Sequence, residues 1–343
     1  MLYESIALPT ELRWRLVAEA ATRGGFIVTE FGDVKANSSP ALLARQLGMD
    51  GHNSGQCRAA TQSIFLPYEH IVMRSAITIS LVPEAAGGPF VFWNDLVAAC
   101  AKVAELGFDA VEVFPRSAEE VDVPLLRSCL DRYGLKLAAM GTGAGWVVKK
   151  LRLTDHDETV RLRARTFIRE IIEVAGAFGA PAIIGSMQGR ADGGISHEQH
   201  LVWLAEALDE LAPRAADHGT TLLIEPLNRY ETNLVNSVAD GVKLIGSLKA
   251  KNVKLLCDLF HMNIEEPDIA TALSEAGSLV GHVHFADSNR RAVGFGHTPT
   301  SPVIGALRRI GYDGYLSAEV LPLPNSNEAA RQTIASYKAC VST

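Results

Sequence analysis

The chain has 343 residues, 48% of them hydrophobic and 21% charged, and carries a formal net charge of −7. These proportions belong to a soluble globular protein with a sizeable core, and the acidic balance argues against general affinity for nucleic acid or an anionic membrane surface. No uninterrupted apolar stretch is long enough to span a bilayer, and the start MLYESIALPTELRWR lacks the basic lead and apolar run of a secretory signal.

Residues 1–72 show one amphipathic pattern, Thr10–Thr22, followed by short polar and Gly-rich pieces such as ANSSP and DGHNSGQC. They are expected to be an N-terminal extension, disordered or the product of a mis-assigned start, because Met73 stands directly before the first strand-like run. The catalytic domain is expected over 73–343.

From Ser75 onward strand-like and helix-like patterns alternate. SAITISL is the first strand. FWNDLVAACAKVAELG is a helix stopped by Gly107, and DAVEVF the second strand. VPLLRSCLDRYG, closed by Gly134, leads into LKLAAM, the third. ETVRLRARTFIREIIEVAGAFG precedes the fourth, PAIIGS. HEQHLVWLAEALDELAPRAADHG, ending on Gly219, precedes the fifth, TTLLIE. VKLLCD, LVGHVH and GYLSAE complete the set, with helices starting near Ser237, Asp268, Ser301 and Asn327. Ser196–Gln199 has the spacing of a capping box; Ser117–Glu120 shares it but precedes Pro124 and suits a loop. Eight strands alternating with eight helices predict a (β/α)₈ barrel. An open doubly wound sheet would want a Gly-rich phosphate turn after the first strand, and LVPEAAGGPF is not G-x-G-x-x-G.

Four strand-like runs end on a residue able to hold a metal: Glu225, Asp258, His284 and Glu319, spaced 33, 26 and 35 residues apart. One βα unit is about 30 residues long. A parallel barrel gathers the ends of its strands around one mouth, so the four can share a site. Two Glu, one Asp and one His form a hard, mostly oxygen donor set, suited to Mn²⁺ or Mg²⁺ and tolerable for Co²⁺ or Zn²⁺. Cys257 adjoins Asp258, but alternation turns it to the opposite face. The five cysteines, at 57, 100, 129, 257 and 340, include no C-x-x-C pair and fit reduced thiols in a cytoplasmic protein.

EPLNRYE, D-x-FHMNIEE, H-x-HFADSNR with a following GH, and GYDGYLSAE resemble the motifs of the sugar isomerase/epimerase superfamily related to xylose isomerase. The D-tagatose and D-psicose 3-epimerase group is the nearest in pattern. The likeness is strong over 221–319 and weaker over 73–343. It implies one divalent ion, Mn²⁺ ahead of Mg²⁺ or Co²⁺, held by Glu225, Asp258, His284 and Glu319. Glu225 and Glu319 would double as the acid/base pair. Glu231, His261 and Arg290 match positions that contact substrate. The implied reaction removes a proton beside a ketone and returns it through a metal-stabilised enediolate, the cation stabilising the charge that develops. The partners implied are a small sugar or polyol-derived substrate and further copies of the chain in a homodimer or homotetramer, without nucleic acid or membrane.

Other residues carry their own expectations. Glu112 ends the second strand, where it can bond substrate hydroxyls or cap a loop. Gln188 and Arg190, in GSMQGR after the fourth strand, can hold a carboxylate or phosphate. Trp146 can cover a sugar, His282 shares a face with His284 one layer deeper, and His297 can line the mouth. One departure bears on substrate: Thr298, Pro299 and Thr300 follow His297 where the epimerase pattern has an acidic residue and an aromatic. An inosose dehydratase or a keto-inositol or sugar-phosphate isomerase is therefore the alternative. An endonuclease IV-like DNA repair enzyme is more remote, because VEVF and LAAMGTG lack the extra histidines it needs.

Overall fold

The computed structural model describes residues 72–341. The extension expected over 1–72, with its Thr10–Thr22 helix, lies outside the described residues except for Val72.

Eight parallel strands close on themselves. They are β1 (Arg74–Ser80), β2 (Ala110–Phe114), β3 (Lys136–Gly141), β4 (Ala182–Ile184), β5 (Leu222–Ile224), β6 (Val253–Asp258), β7 (Val280–His284) and β8 (Tyr315–Ala318). Each pairs with the next, and β8 pairs back onto β1 through Arg74↔Tyr315 to Ile77↔Ala318, so the ring has no free edge. The expected (β/α)₈ barrel is the fold found.

Helices return the chain between strands: α1 (Leu96–Leu106), α2 (Val123–Tyr133), α3 (Ala144–Lys149), α4 (Glu158–Gly176), α5 (His197–Asp217), α6 (Val238–Ser247), α7 (Leu259–Glu265), α8 (Ile269–Ala276), α9 (Thr300–Arg309) and α10 (Ser326–Val341). Short polar side chains start many of them by taking up a first-turn amide. Asp95 accepts from Ala98, Asp122 from Leu125, Ser196 from Gln199 and Ser237 from Asp240. Asp95 also corrects the expected start of the first helix. Phe92–Trp93 is a two-residue strand beside the end of β1, and the helix begins only after Asp95. Gly107 and Gly134 end α1 and α2 in the left-handed conformation, at φ +83° and +66°. Ser117 bonds Glu120 at 3.4 Å within a loop, and Asp122 caps α2 instead. The helices α3 and α7 were not expected from sequence; both follow strand ends on the side of the site.

Alternation along each strand sorts the core. Leu255 and Cys257 of β6 pack in the outer layer between barrel and helices, as do Leu222 and Ile224 of β5. Ala139, Ile183, Leu223 and Leu256 form a separate buried cluster inside the barrel. That apolar plug lies one layer below the strand ends and gives the polar residues above it a dry floor.

Candidate active site

The inward position after each of those apolar residues is polar on the second half of the barrel. Glu225 directly follows β5 and continues its ladder, its amide donating to the Ile184 carbonyl at 2.9 Å. Asp258 and His284 end β6 and β7 and are register partners. Glu319 directly follows β8. His284 Nδ1 lies 3.6 Å from Glu225 Oε1, 3.5 Å from Asp258 Oδ2 and 3.9 Å from Glu319 Oε2. Donor atoms around one divalent ion are about 3–3.5 Å apart, so these separations are near what a shared cation requires.

Unpartnered atoms test the fit. Glu225 Oε1, Asp258 Oδ2, His284 Nδ1 and His261 Nε2 are all buried without a hydrogen bond. Buried polar atoms are rarely left so, and here the orphans face one another. Asp258 Oδ1, by contrast, is committed to the Phe260 amide at 2.8 Å, where it caps α7. Gly185 completes the cradle: a Cβ there would lie 2.4 Å from Glu225 Oε2. The donor set fits a hard divalent cation.

Electrostatics agree. Burial opposes charge on His284, yet the Glu112 carboxylate that accepts from it, with the Asp258 and Glu225 carboxylates close by, raises its pKa well above the usual imidazole range. Burial also opposes the Asp258 carboxylate, but His261, His284 and Arg290 hold it well below its ordinary value. Burial raises the Glu319 carboxyl, against the pull of Arg290 and His284. The cluster is rich in carboxylate and draws in positive charge.

The residues expected to touch substrate surround this cluster. His261 is 1% exposed, its Nε2 3.7 Å from Asp258 Oδ2 and 3.9 Å from Glu225 Oε1. Its Nδ1 accepts from the Asn228 side chain at 2.7 Å and the Asn228 amide at 3.3 Å. Two donors on Nδ1 leave the proton of a neutral His261 on Nε2, facing the site. Arg290 stands at φ +58°, reaches Glu319 Oε2 at 2.5 Å and Glu231 Oε1 at 3.4 Å, and lies over the Phe260 ring. A cavity of about 500 Å³ opens here, lined by Glu225, Glu231, His261, His284, Arg290 and Glu319 at one end. Phe90, Phe114, Trp146, Val147, Arg152 and Arg190 are among the residues lining the remainder.

Three expectations need correction or refinement. Gln188 does not line the cavity with Arg190: it is fully buried, and its Nε2 donates to the Glu225 carbonyl at 2.9 Å. The turn Ser186–Gln188 rotates it inward. Glu112 lines the cavity but caps no loop; its carboxylate accepts from Thr78, His282 and His284. His297 is exposed and does not line the cavity. Asn228 was missed, although its place in EPLNRYE is a signal that could have marked it.

A closed parallel barrel with a carboxylate–histidine cluster at its strand ends defines the class: a TIM-barrel enzyme with a candidate metal centre. Residues 100–340 match the family described as xylose isomerase-like TIM barrel, and the chain belongs to that family. Its relatives are named as sugar epimerases, and this chain is an enzyme of that type. An L-ribulose 3-epimerase of Methylomonas is 30% identical over 245 residues, covering 69% of this chain and 84% of that one. A D-psicose 3-epimerase of Agrobacterium fabrum is 33% identical over 227 residues, covering 64% and 76%. A 3-dehydro-D-guloside 4-epimerase of Escherichia coli is 30% identical over 254 residues, covering 69% and 92%. The crystal structure of a D-psicose 3-epimerase in the presence of D-fructose shares the fold at a TM-score of 0.66 and 24% identity, covering 79% of this chain and 100% of that one.

Proposed function

We propose that this protein epimerises a keto-sugar at the carbon next to its carbonyl, using a divalent cation, Mn²⁺ ahead of Mg²⁺ or Co²⁺. The observation that carries the reading is the convergence of unpartnered Glu225 Oε1, Asp258 Oδ2 and His284 Nδ1, with Glu319 beside them. Bound there, the cation would polarise the ketone and offset the negative charge that develops when the neighbouring proton leaves.

The protein's own groups do the rest. Glu225 and Glu319, from the ends of β5 and β8, remove the proton from one face of the carbon and return one to the other. His261 offers its Nε2 proton to a substrate oxygen and is held for that by Asn228. Arg290 and Glu231 hold neighbouring hydroxyls.

The relatives' names support this chemistry. A 2-ketose inverted at C3 and a 3-keto-glycoside inverted at C4 both change configuration beside the ketone. The cavity has room for either class, and the glycoside reading draws on the 92% coverage of the Escherichia coli relative. The test is a panel of free ketoses, 3-keto-glycosides and a keto-inositol, run with Mn²⁺ in D₂O. Epimer with deuterium at the inverted carbon supports the reading and identifies the class. Formation of a conjugated, ultraviolet-absorbing product from the keto-inositol, with no epimer from any substrate, overturns it in favour of a dehydratase.

A further inference from the structure

Glu112 stands apart from the four candidate ligands, yet both its carboxylate oxygens are buried and accept hydrogen bonds. It is 2% exposed and comes from β2, across the barrel interior from β7. Its Oε2 meets His282 Nε2 at 2.8 Å, and its two oxygens lie 3.2 and 3.3 Å from His284 Nε2. Thr78 Oγ1 donates to Oε1 at 3.1 Å, across the register pair Thr78↔Glu112. A carboxylate can only accept, so both histidines present N–H at Nε2. For His284 this leaves Nδ1 as the atom turned to Glu225, Asp258 and Glu319, and Nδ1 is the buried atom without a partner.

We infer that Glu112 is a positioning residue: it fixes the tautomer and ring orientation of His284 so that the Nδ1 lone pair is presented to the cation. The inference rests on the metal-site reading above. A histidine whose far nitrogen donates to a carboxylate is a stronger, better oriented ligand, and loss of such a partner costs about 10–100-fold in metal affinity. His282 contributes from the other side. By bonding Oε2 it keeps the carboxylate between the two rings, and the rings lie edge to face at 5.7 Å. Glutamine at 112 would offer one acceptor oxygen and one amide donor where two imidazole N–H groups and Thr78 need acceptors. An amide N–H directed at His284 would favour the opposite tautomer and place a proton on Nδ1.

The test is Mn²⁺ titration by calorimetry of the full-length wild type and Glu112→Gln, with kinetics alongside. The expected result is a Mn²⁺ Kd about 10–100-fold weaker in the variant, with kcat recovering as Mn²⁺ is raised. An unchanged Kd with a raised KM would overturn the inference and make Glu112 a substrate contact. An unchanged Kd with only a lower melting temperature would overturn it in favour of a purely structural role. If wild type binds no divalent ion, the metal reading fails; if wild type and variant bind equally, only the role of Glu112 fails. A second measurement needs no variant. In Mg²⁺-loaded wild type, a long-range ¹H–¹⁵N spectrum should show the His284 proton on Nε2. A proton on Nδ1 would overturn the inference directly.

Discussion

Asp258 and His284 are partners across β6 and β7, and each has one polar atom fixed from outside and one left facing the other at 3.5 Å. The Phe260 amide holds Asp258 Oδ1, and Glu112 holds His284 Nε2. Asp258→Asn keeps an oxygen for the cap but removes the charge, whereas Asp258→Ala removes both. Both variants should lose Mn²⁺ affinity by more than about 100-fold, beyond the loss typical of an outer partner. Without metal, Ala should be less stable than Asn by about 1 kcal/mol, the usual worth of a cap. Calorimetry and thermal melts check both; equal melting temperatures would show that the cap adds nothing.

Gly185 should tolerate no side chain. A Cβ 2.4 Å from Glu225 Oε2 must push the carboxylate or the end of β4 aside. Gly185→Ala is expected to lower bound metal and kcat together, by about 10-fold or more, since a shift near 1 Å at a reacting group can cost 100-fold. Metal analysis and turnover measured on one preparation decide it. Full activity at full occupancy would show that Glu225 can rest elsewhere.

Asp287 should set an acid limit on stability. It is 1% exposed and accepts from the amides of Ser288, Gly294, Gly296 and Thr298 at 2.7–2.9 Å. Burial opposes its charge, but those four amides, Thr298 foremost, hold its pKa below the ordinary value. A depressed folded pKa means stability that is complete above the unfolded value, about 3.9, and is lost as pH falls through the folded one. Asp287→Asn should cost about 2–3 kcal/mol at pH 7, with the gap closing in acid below about pH 4. The same variant should reduce activity, because the loop it ties down carries Arg290. Melting curves of both proteins from pH 7 to pH 3 test the sign; a gap that widens in acid refutes the assignment.

Asn228 should act on turnover and not on metal. It occupies His261 Nδ1 and also donates to Glu231 Oε1 at 3.0 Å. Asn228→Ala frees Nδ1, so the ring can carry its proton on the wrong nitrogen. We expect kcat to fall about 10–100-fold, within the range of general acid–base contributions, while Mn²⁺ occupancy stays full. Loss of metal in parallel with rate would place Asn228 among the supports of the ion instead.

Arg190 lines the cavity, donates to the Tyr230 carbonyl at 3.2 Å and has no carboxylate partner among the described residues. Arg190→Ala should therefore weaken an anionic keto-sugar more than a neutral one, by about 10-fold in kcat/KM, the worth of one charged hydrogen bond. Equal losses for both would remove any preference for anionic substrates.

The strand ends were legible because each of the four candidate ligands closes an apolar run, and parallel strands in a closed ring bring such ends together. The outward turn of Cys257 followed from alternation alone. Glu112 was legible as a strand-end carboxylate but not as a histidine partner, since His282 and His284 are 170 and 172 residues away in sequence. Periodicity carries no information across such a gap. Gln188 was misread because a turn of three residues decides which way it faces. The helices α3 and α7 are two turns or less, too short to show an amphipathic repeat.

The bond between Glu112 and the β7 histidines also gives the site a place in time. Its partners come from opposite halves of the chain, and the ring closes only through the pairing of β1 with β8. Contacts of such long sequence separation carry the loop-closure cost that slows folding, and the closing pair is expected to be the last to form. A nascent chain released through β7 would hold three of the four candidate ligands without the closed ring around them. Cation uptake in a stopped-flow refolding trace would then mark the moment the cylinder shuts, and truncated or unzipped chains would compete poorly for scarce ion against finished ones.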